Sequence, residues 1–209
     1  MVILISLNQI NAHKDQQENK MAIQTKLSSS IKGRLLAALL GAGVAGPSAY
    51  VAVELTAPSE GLYLAPYKDP VGLTTICLGH LVKKGEKVKE LYTVDECAEI
   101  FAKDFKEHEM MLDKVVKVDY RSPWMKAAFT DFTFNKGIGN VASSTLLKKL
   151  NSKYYDGACQ ELSRWVYGKV GGVMKVLPGL VIRATKQYQY CMGIEPADYK
   201  QKMFENRSW

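Results

Sequence analysis

The chain has 209 residues, of which 47% are hydrophobic, 10% aromatic and 23% charged, and this balance excludes a mainly disordered or fibrous protein. Its 28 basic residues exceed its 21 acidic ones and give a net charge of +7, which favours an anionic partner such as nucleic acid, lipid or an acidic wall polymer. Part of the excess, +3, lies within residues 1–34, and the remainder is too dilute to indicate nucleic acid. The sequence has no zinc-ligand spacing and no phosphate-binding loop, and we expect no metal and no cofactor.

Residues 1–34 form a polar and then basic N-terminal region, in which Met21 is a second possible start. An uncharged run follows from Leu35 to Val53, and its nineteen residues are close to the ~20 that span a bilayer. Basic residues ahead of such a run hold the N-terminus in the cytoplasm, so the rest of the chain would lie outside.

The composition of the uncharged run is weak for a permanent membrane span. Turn-forming residues interrupt its alanines: Gly41, Gly43, Gly46, Pro47 and Ser48. Three interpretations stay open, namely a buried helix of the folded protein, a cleaved signal peptide, or an uncleaved and weakly held membrane helix. The best cleavage candidate, Ala57, follows a poor upstream residue and precedes a proline. We therefore favour a releasable anchor over residues 35–57, followed by one domain over residues 58–209.

The pattern of residues 58–209 predicts an α+β domain, with a small sheet followed by helices. Turn residues alternate with β-forming residues over residues 62–81, which predicts a hairpin sheet. Thr93 and Glu96 form a capping box, and apolar residues at helical spacing follow it, so a helix begins near residue 94. Further helices are predicted from proline and glycine signals and from periodicity: from Ser122-Pro123 to Gly137, and around 144–151, 156–166 and 178–192.

Glu60 and Asp69 supply the pair of carboxyl groups that hydrolysis of a glycosidic bond requires. One carboxyl must donate a proton to the leaving oxygen, and the other must be ionised. The apolar residues after Glu60 favour its neutral form, whereas the polar turn beside Lys68 favours ionised Asp69. Two acids nine residues apart occur in almost any domain, so this pair alone is a weak signal.

The wider spacing is far more specific. It resembles the active-site signature of the phage-type lysozymes, glycoside hydrolase family 24: Glu60-Gly61, Tyr67-x-Asp69, Gly72, Thr75-Ile76 and Gly79-His80. The resemblance continues to about residue 193: Phe134-Asn135-x-Gly137-x-Gly139-Asn140 with Ser144-Thr145-Leu146-Leu147, Gly157-Ala158-Cys159 with Arg164-Trp165, and Gly179-Leu180 with Arg183 and Cys191. In that family a Glu, an Asp nine residues later and a Thr six residues further form the catalytic trio, which implies Glu60, Asp69 and Thr75.

The resemblance implies a lysozyme-like fold, with a β-hairpin lobe and a helical lobe, and an N-acetylmuramidase acting on peptidoglycan. It implies inversion at the sugar, with Glu60 as general acid and with Asp69 and Thr75 positioning the attacking water. The cleft positions implied for substrate contact are Gly79, Leu81, Phe134, Asn135 and Thr145. Phe134 also suits a core position and Asn135 a helix end, while we expect His80 to be structural rather than a catalytic base. The alternative is a non-catalytic peptidoglycan-binding module, which would have no reason to keep the trio.

The uncharged run directly before Glu60 resembles the signal-arrest-release endolysins of phages and prophages. That resemblance implies export by the host secretion machinery and tethering in the host inner membrane, facing the periplasm. Release into the periplasm would then bring the enzyme to peptidoglycan and lyse the host cell. We expect the released segment to fold against the lysozyme body and position Glu60, and we expect a monomer.

The sequence departs from the family near its C-terminal helix. Family members usually carry an Arg-Arg pair and a Glu there, whereas Ala184 stands in place of the second Arg and Gln187 in place of the Glu. Residues 167–176 resemble an insertion. These departures leave the role of that helix open.

Four cysteines allow three pairings, and a cytosolic chain would keep them reduced. Since we favour export, we predict two disulfides, Cys77–Cys97 and Cys159–Cys191. The first would join the hairpin to the capped helix, and the second would join two late helices.

Overall fold

The structure, a computed structural model, describes residues 24–69, 72–200 and Met203. The strands are β1 (Gln24–Thr25), β2 (Leu62–Lys68), β3 (Thr74–Cys77), β4 (His80–Leu81), β5 (Tyr167–Val170) and β6 (Val173–Val176). The α-helices are α1 (Ser29–Gly41), α2 (Gly46–Val51), α3 (Ala57–Glu60), α4 (Val94–Val115), α5 (Pro123–Lys136), α6 (Ile138–Ser143), α7 (Thr145–Asn151), α8 (Tyr155–Glu161) and α9 (Pro178–Cys191). The expectations for residues 1–20 and for Met21 lie outside the described residues.

Strands β1 to β4 form one antiparallel sheet in chain order. The turn pattern of residues 62–81 predicted β2 to β4, whereas β1 was not predicted. In its central pair, Tyr67 lies opposite Thr75, and the register shifts between Tyr63 and Tyr67. Pro66 lies within that shift, where a residue without an N–H does not interrupt a regular ladder. The sheet therefore brings Tyr67 and Thr75, two positions of the active-site signature, side by side.

The uncharged run from Leu35 to Val53 does not form one helix. Helix α1 ends at Gly41, a bend follows, and α2 begins at Gly46 with a proline in its first turn. Within residues 24–69 and 72–200, no helix combines the length and the apolar character that crossing a bilayer requires. Leu35 and Leu39 are instead fully buried, and α1 packs along α4.

Helices α2 and α3 are joined without a break by a π-helical turn, Ala52–Thr56, so the helical path runs from Gly46 to Glu60. Nine of its twelve residues before Pro58 are buried, which suits a helix with apolar residues on most sides. Lys32 donates to Glu54 at 2.7 Å and pairs the one acidic side chain of the π-helical turn with α1. Gly61, at φ +76°, ends the path directly after Glu60.

Helices α4 and α5 begin where the sequence predicted. The Thr93 side chain accepts from the Glu96 N–H, and the Glu96 carboxylate accepts from the Thr93 N–H, so the capping box is confirmed. Ser122 caps α5 by accepting from the Met125 N–H at 3.1 Å. Helix α5 packs against α2, α4 and α9 and forms the centre of the helical lobe.

Both predicted disulfides are present. Cys77 and Cys97 join β3 to α4 with Cα atoms 5.0 Å apart, and Cys159 and Cys191 join α8 to α9 at 5.6 Å. All four side chains are fully buried. The first bond therefore joins the hairpin to the capped helix and the second joins two late helices, as predicted.

The insertion-like stretch is a separate hairpin, in which Tyr167 pairs with Val176 and Val170 with Val173. The helix predicted over residues 156–166 begins as α8 and finishes as a 3₁₀ turn, Leu162–Arg164. Helix α6 was not predicted from the sequence.

Candidate active site

Glu60 is the last residue of α3, and its side chain is 23% exposed. Its Oε1 accepts from Arg183 Nη1 at 3.0 Å, and that guanidinium is itself buried in α9. The expectation of an apolar environment for Glu60 is therefore wrong, because its closest partner is a cation. Leu62, the first large apolar residue after Glu60, is directed into the core and is fully buried.

Gly79 lies directly against the same carboxylate. It has φ +81°, and a Cβ built on it would lie 3.2 Å from Glu60 Oε2. Any side chain at this turn between β3 and β4 would be strained and would press on the carboxylate. Gly79, which the family resemblance had assigned to the substrate cleft, is thus also a contact of Glu60.

Asp69 and Thr75 meet at a single turn at the end of the β2–β3 hairpin. The Asp69 N–H donates to the Leu73 carbonyl at 3.0 Å, and Asp69 Oδ1 accepts from the Leu73 N–H at 2.8 Å. Thr75, only 2% exposed, donates from its hydroxyl to the same Leu73 carbonyl at 3.4 Å. The two predicted water-positioning residues are therefore held by bonds to one residue.

Tyr67 connects the two parts of the site electrostatically. Burial, first, and then the negative charges of its neighbours, including Glu60 and Asp69, raise the pKa of Tyr67 to about 12. Its phenol therefore stays neutral and lies in the field of both carboxylates. The sequence signature contained Tyr67, but nothing in the spacing pattern indicated that the charges of both acids act on it.

A cavity of about 630 Å³ opens beside Glu60 and Arg183. Its lining comes from the path α2–α3, the end of α5 and the start of α9: Glu54, Leu55, Pro58, Ser59, Glu60, Asn135, Leu177, Gly179, Leu180, Ile182, Arg183 and Lys186. Asn135 is thus brought to Glu60, as expected, whereas Asp69 and Thr75 lie outside this cavity.

The other predicted contact residues lie in three different settings. Phe134 packs against Phe101, Phe105 and His108, with ring centroids 4.8 to 5.9 Å away, so its ring belongs to an aromatic cluster. Leu81 is exposed on β4, and Thr145 is exposed at the start of α7.

Asp131 is a residue that the sequence analysis missed. It is fully buried on α5, and its carboxylate accepts four hydrogen bonds, two of them from Arg183 at 2.8 and 3.1 Å. The others come from Gln187 Nε2 at 2.7 Å and from the Thr56 hydroxyl at 2.6 Å. An acidic residue within an apolar stretch of helix was the signal for it, because a buried carboxylate requires partners.

The electrostatics of Arg183 follow from these contacts. Burial alone lowers the pKa of Arg183, but the charge of Asp131 and its hydrogen bonds, followed by those of Glu60, raise it overall. Burial, and secondarily the charge of Arg183, lowers the pKa of Lys136 at the end of α5. Arg183 is therefore a permanent cation between two carboxylates.

His80 has a structural position, in agreement with the expectation that it is not a catalytic base. Its Nδ1 lies 2.7 Å from Asp104 Oδ2 on α4, and its Nε2 lies 3.0 Å from Glu86 Oε1. Both ring nitrogens are therefore occupied within the protein.

The family model described as Phage lysozyme matches residues 57–187. The chain belongs to the phage lysozyme family. It is 33% identical over 171 residues to a SAR-endolysin of Bacteriophage PS34, and the alignment covers 79% of this chain and 96% of the relative. It is 35% identical over 164 residues to a SAR-endolysin of Enterobacteria phage P21, which covers 76% of this chain and 94% of the relative. This protein is accordingly a lysozyme, a glycosidase that acts on peptidoglycan.

Comparison of structures gives the same fold. The active form of the phage P1 endolysin Lyz superposes with a TM-score of 0.63 at 20% identity, covering 84% of this chain and 98% of the other. The lysozyme-like α+β architecture predicted from the sequence is thereby confirmed for this lysozyme.

Proposed function

We propose that this lysozyme is an endolysin that hydrolyses the β-1,4 bond between N-acetylmuramic acid and N-acetylglucosamine and so lyses the host cell. The observation that carries the proposal is the setting of Glu60. Its carboxylate lies at the edge of a cavity, between a buried guanidinium and a glycine without a side chain. A carboxyl group held in this way is suited to proton transfer, because a fixed direction is what general acid catalysis needs.

Glu60 acts in this proposal as the general acid. Arg183 occupies Oε1, which leaves Oε2, on the side of Gly79, as the oxygen that carries the proton to the leaving group. Asp69 and Thr75 position the attacking water, and their shared bonds to Leu73 support a fixed geometry for it. Inversion then requires the two carboxyl groups to stand about 6.5–9.5 Å apart.

Substrate contacts are proposed for the residues around this acid. Asn135 lines the cavity beside Glu60 and offers an amide for sugar hydroxyl groups. Leu81 and Thr145 are exposed and accessible to a glycan strand. Gly79 acts through close approach of its backbone, and Phe134 supports Asn135 from the aromatic cluster.

The acid assignment is tested with Glu60→Gln, which keeps the shape of the side chain and removes its transferable proton. We expect wall-clearing activity to fall by ~100-fold or more. Glu90→Gln, at an exposed position, is the matched control and should clear walls at the wild-type rate. If folded Glu60→Gln keeps more than about a tenth of the activity, Glu60 is not the acid. A wild-type protein that binds walls without clearing them would instead favour a non-catalytic module.

The water-attack scheme is tested by the anomeric configuration of the first product, followed by NMR. Inverted configuration is expected. A product of retained configuration, or a sugar covalently attached to Asp69 in mass spectra, would exclude attack by water.

We propose further that residues 35–57 are an uncleaved, releasable anchor. In this scheme the secretion machinery exports the chain, and it stays in the host inner membrane facing the periplasm until it is released there as a monomer. The SAR-endolysin names of its relatives support the proposal. The burial of the same segment in the lysozyme core also supports it, since one apolar surface cannot be covered by lipid and by protein together. In this scheme the boundaries at residues 35 and 58 mark the ends of the anchor, and they do not coincide with boundaries of the fold.

The outward face of α1 offers a test that leaves the core intact. Ala37 and Gly41 are exposed, and nothing lies within 4 Å of a Cβ at Gly41. Replacing both by Leu favours insertion by ~0.3–0.6 kcal/mol or more per position. The variant should stay in the membrane fraction after an uncoupler is added, whereas the matched double Ser variant should be released. A wild-type chain that is cleaved near Ala57, or soluble before depolarisation, would refute the anchor.

A further inference from the structure

We propose that Asp131 is a positioning residue for the reaction. It fixes the Arg183 guanidinium from behind and offsets its charge, so that Arg183 holds the Glu60 carboxyl group in one orientation. The inference rests on the proposed role of Glu60 as general acid.

The geometry of Arg183 carries the first half of this inference. Its Nε and Nη2 donate to the two oxygens of Asp131, which is a bidentate contact, and Nη1 donates to Glu60. When two parallel hydrogen bonds hold one edge of a planar guanidinium, the N–H groups of its remaining nitrogen point in a fixed direction. The position of the Glu60 carboxylate is therefore determined by a side chain on α5 that does not touch it.

The balance of charge carries the second half. Asp131 is fully buried, and Arg183 is the cation that contacts it, while its remaining bonds come from the neutral groups of Gln187 and Thr56. A buried cation requires a counter-charge. The contact with Asp131 supplies that counter-charge independently of Glu60. With a neutral residue at position 131, Glu60 would be the remaining carboxylate in contact with Arg183, and the charge of Arg183 would act on it without an offset.

Other charged or titratable groups also face this part of the site. They come from the π-helical turn, β2, the end of α5 and α9: Glu54, Tyr67, Lys136 and Lys186. These groups are the same in every variant proposed below, so a change in the pH profile reports position 131 or 187.

Gln187 offers a neighbouring position to which the carboxylate of Asp131 can be moved. Its Nε2 donates to Asp131 Oδ2 at 2.7 Å, so a Glu at position 187 would set two carboxylates against each other. The same Glu would face an amide if Asp131 were replaced by Asn, and it would then carry the negative charge beside Arg183 from α9. The double variant, Asp131→Asn with Gln187→Glu, therefore moves the negative charge to the neighbouring side chain and keeps the net charge of the site.

The experiment compares Asp131→Asn, Gln187→Glu and the double variant with wild type, using soluble peptidoglycan fragments and counting only folded protein. For Asp131→Asn we expect kcat to fall by about tenfold at an unchanged KM. The alkaline limb of its pH–rate profile, which reports loss of the acid's proton, should move to lower pH. The double variant should recover more than about a fifth of the wild-type kcat.

Folded Asp131→Asn with the wild-type kcat and pH profile would overturn the inference, since a merely structural role changes stability alone. If Asp131→Asn does not fold, the kcat of the double variant decides, because that variant retains the buried charge. A kcat below about a fifth of the wild-type value would then contradict the inference. Glu60→Gln is measured in parallel. If Glu60→Gln is inactive while Asp131→Asn equals wild type, this inference fails and the proposed function stands. If Glu60→Gln is active, the proposed role of Glu60 as general acid fails, and this inference fails with it.

Discussion

His80 and Asp104 join the sheet to the long helix α4, with His80 Nδ1 2.7 Å from Asp104 Oδ2. The hydrogen bond to Asp104 is the main cause that raises the pKa of His80, with smaller contributions from the charges of Asp104 and Glu86, while burial opposes it. The pair is largely buried, and it fixes the turn that carries Gly79 against Glu60. Its effect on stability should therefore depend on pH.

His80→Asn tests this dependence. In the unfolded chain His titrates near pH ~6.5, and its pKa is raised in the folded protein. The stabilisation is therefore fully present below that pH and is lost as the pH rises through the folded value. We expect the variant to lose roughly 1.5–3 kcal/mol of unfolding free energy at pH 5.5 and clearly less at pH 9. Asp104→Asn should show the same trend, and equal losses at both pH values would contradict the prediction.

Leu39→Ala tests whether the segment from Leu35 to Val53 stabilises the folded enzyme. Leu39 is fully buried, whereas the adjacent Leu40 is 44% exposed, so Leu40→Ala is a control in the same helix turn. Removing a buried Leu side chain costs about 2–5 kcal/mol, and we expect Leu40→Ala to cost under about 1 kcal/mol. Urea unfolding of the released protein measures both. Similar losses for the two variants would show that α1 is not packed as described.

The two disulfides should contribute separately to stability. They close loops of 20 and 32 residues, worth about 3 and 4 kcal/mol on the chain-entropy model. We expect Cys77→Ala with Cys97→Ala, and Cys159→Ala with Cys191→Ala, each to lower the unfolding midpoint by several degrees or more. Unfolding curves that do not change on reduction of the wild type would contradict this expectation.

Gly79→Ala should damage catalysis more than folding. Its added Cβ would lie 3.2 Å from Glu60 Oε2 and displace the carboxylate, in addition to the strain at φ +81°. Gly85→Ala is matched, because φ is +86° there and nothing lies within 4 Å of its Cβ. Both variants should lose roughly 1 kcal/mol of stability, but only Gly79→Ala should lose tenfold or more in wall-clearing rate. Equal rates in the two variants would show that Gly79 does not act on Glu60.

Local signals predicted the elements of this fold well. The capping box at Thr93 and the Ser122-Pro123 start each depend on residues within one helix turn, so they are readable from the chain. The β5–β6 hairpin had a signal too, since Gly171-Gly172 separates two β-forming stretches. Residues 167–176 resemble an insertion relative to the family, so the resemblance implied no structure for them.

The environment of Glu60 was not predictable in the same way. Its sequence neighbours are apolar, yet its partner Arg183 is 123 positions away, and Arg183 depends in turn on Asp131, 52 positions from it. Such contacts are created by packing of α3, α5 and α9, which no spacing pattern encodes. The family resemblance identified the trio, but it gave no reason to single out Asp131.

The π-helical turn fixes the length of the chain that leads to Glu60. The Ala57 N–H donates to the Ala52 carbonyl five residues back, so this turn contains one residue more than a regular α-helical turn. Deleting one residue from Ala52–Thr56 would restore a regular helical turn and leave the helix beyond it in nearly the same orientation, because the wider turn absorbs the extra residue locally. Deleting one residue from the regular helix Gly46–Val51 would instead rotate everything beyond it by about 100°, and Thr56 would lose Asp131 or Glu60 would turn away from Arg183. Changes in length are therefore compatible with an intact site at the bend around Gly43 and at the π-helical turn, and incompatible in the regular helix between them.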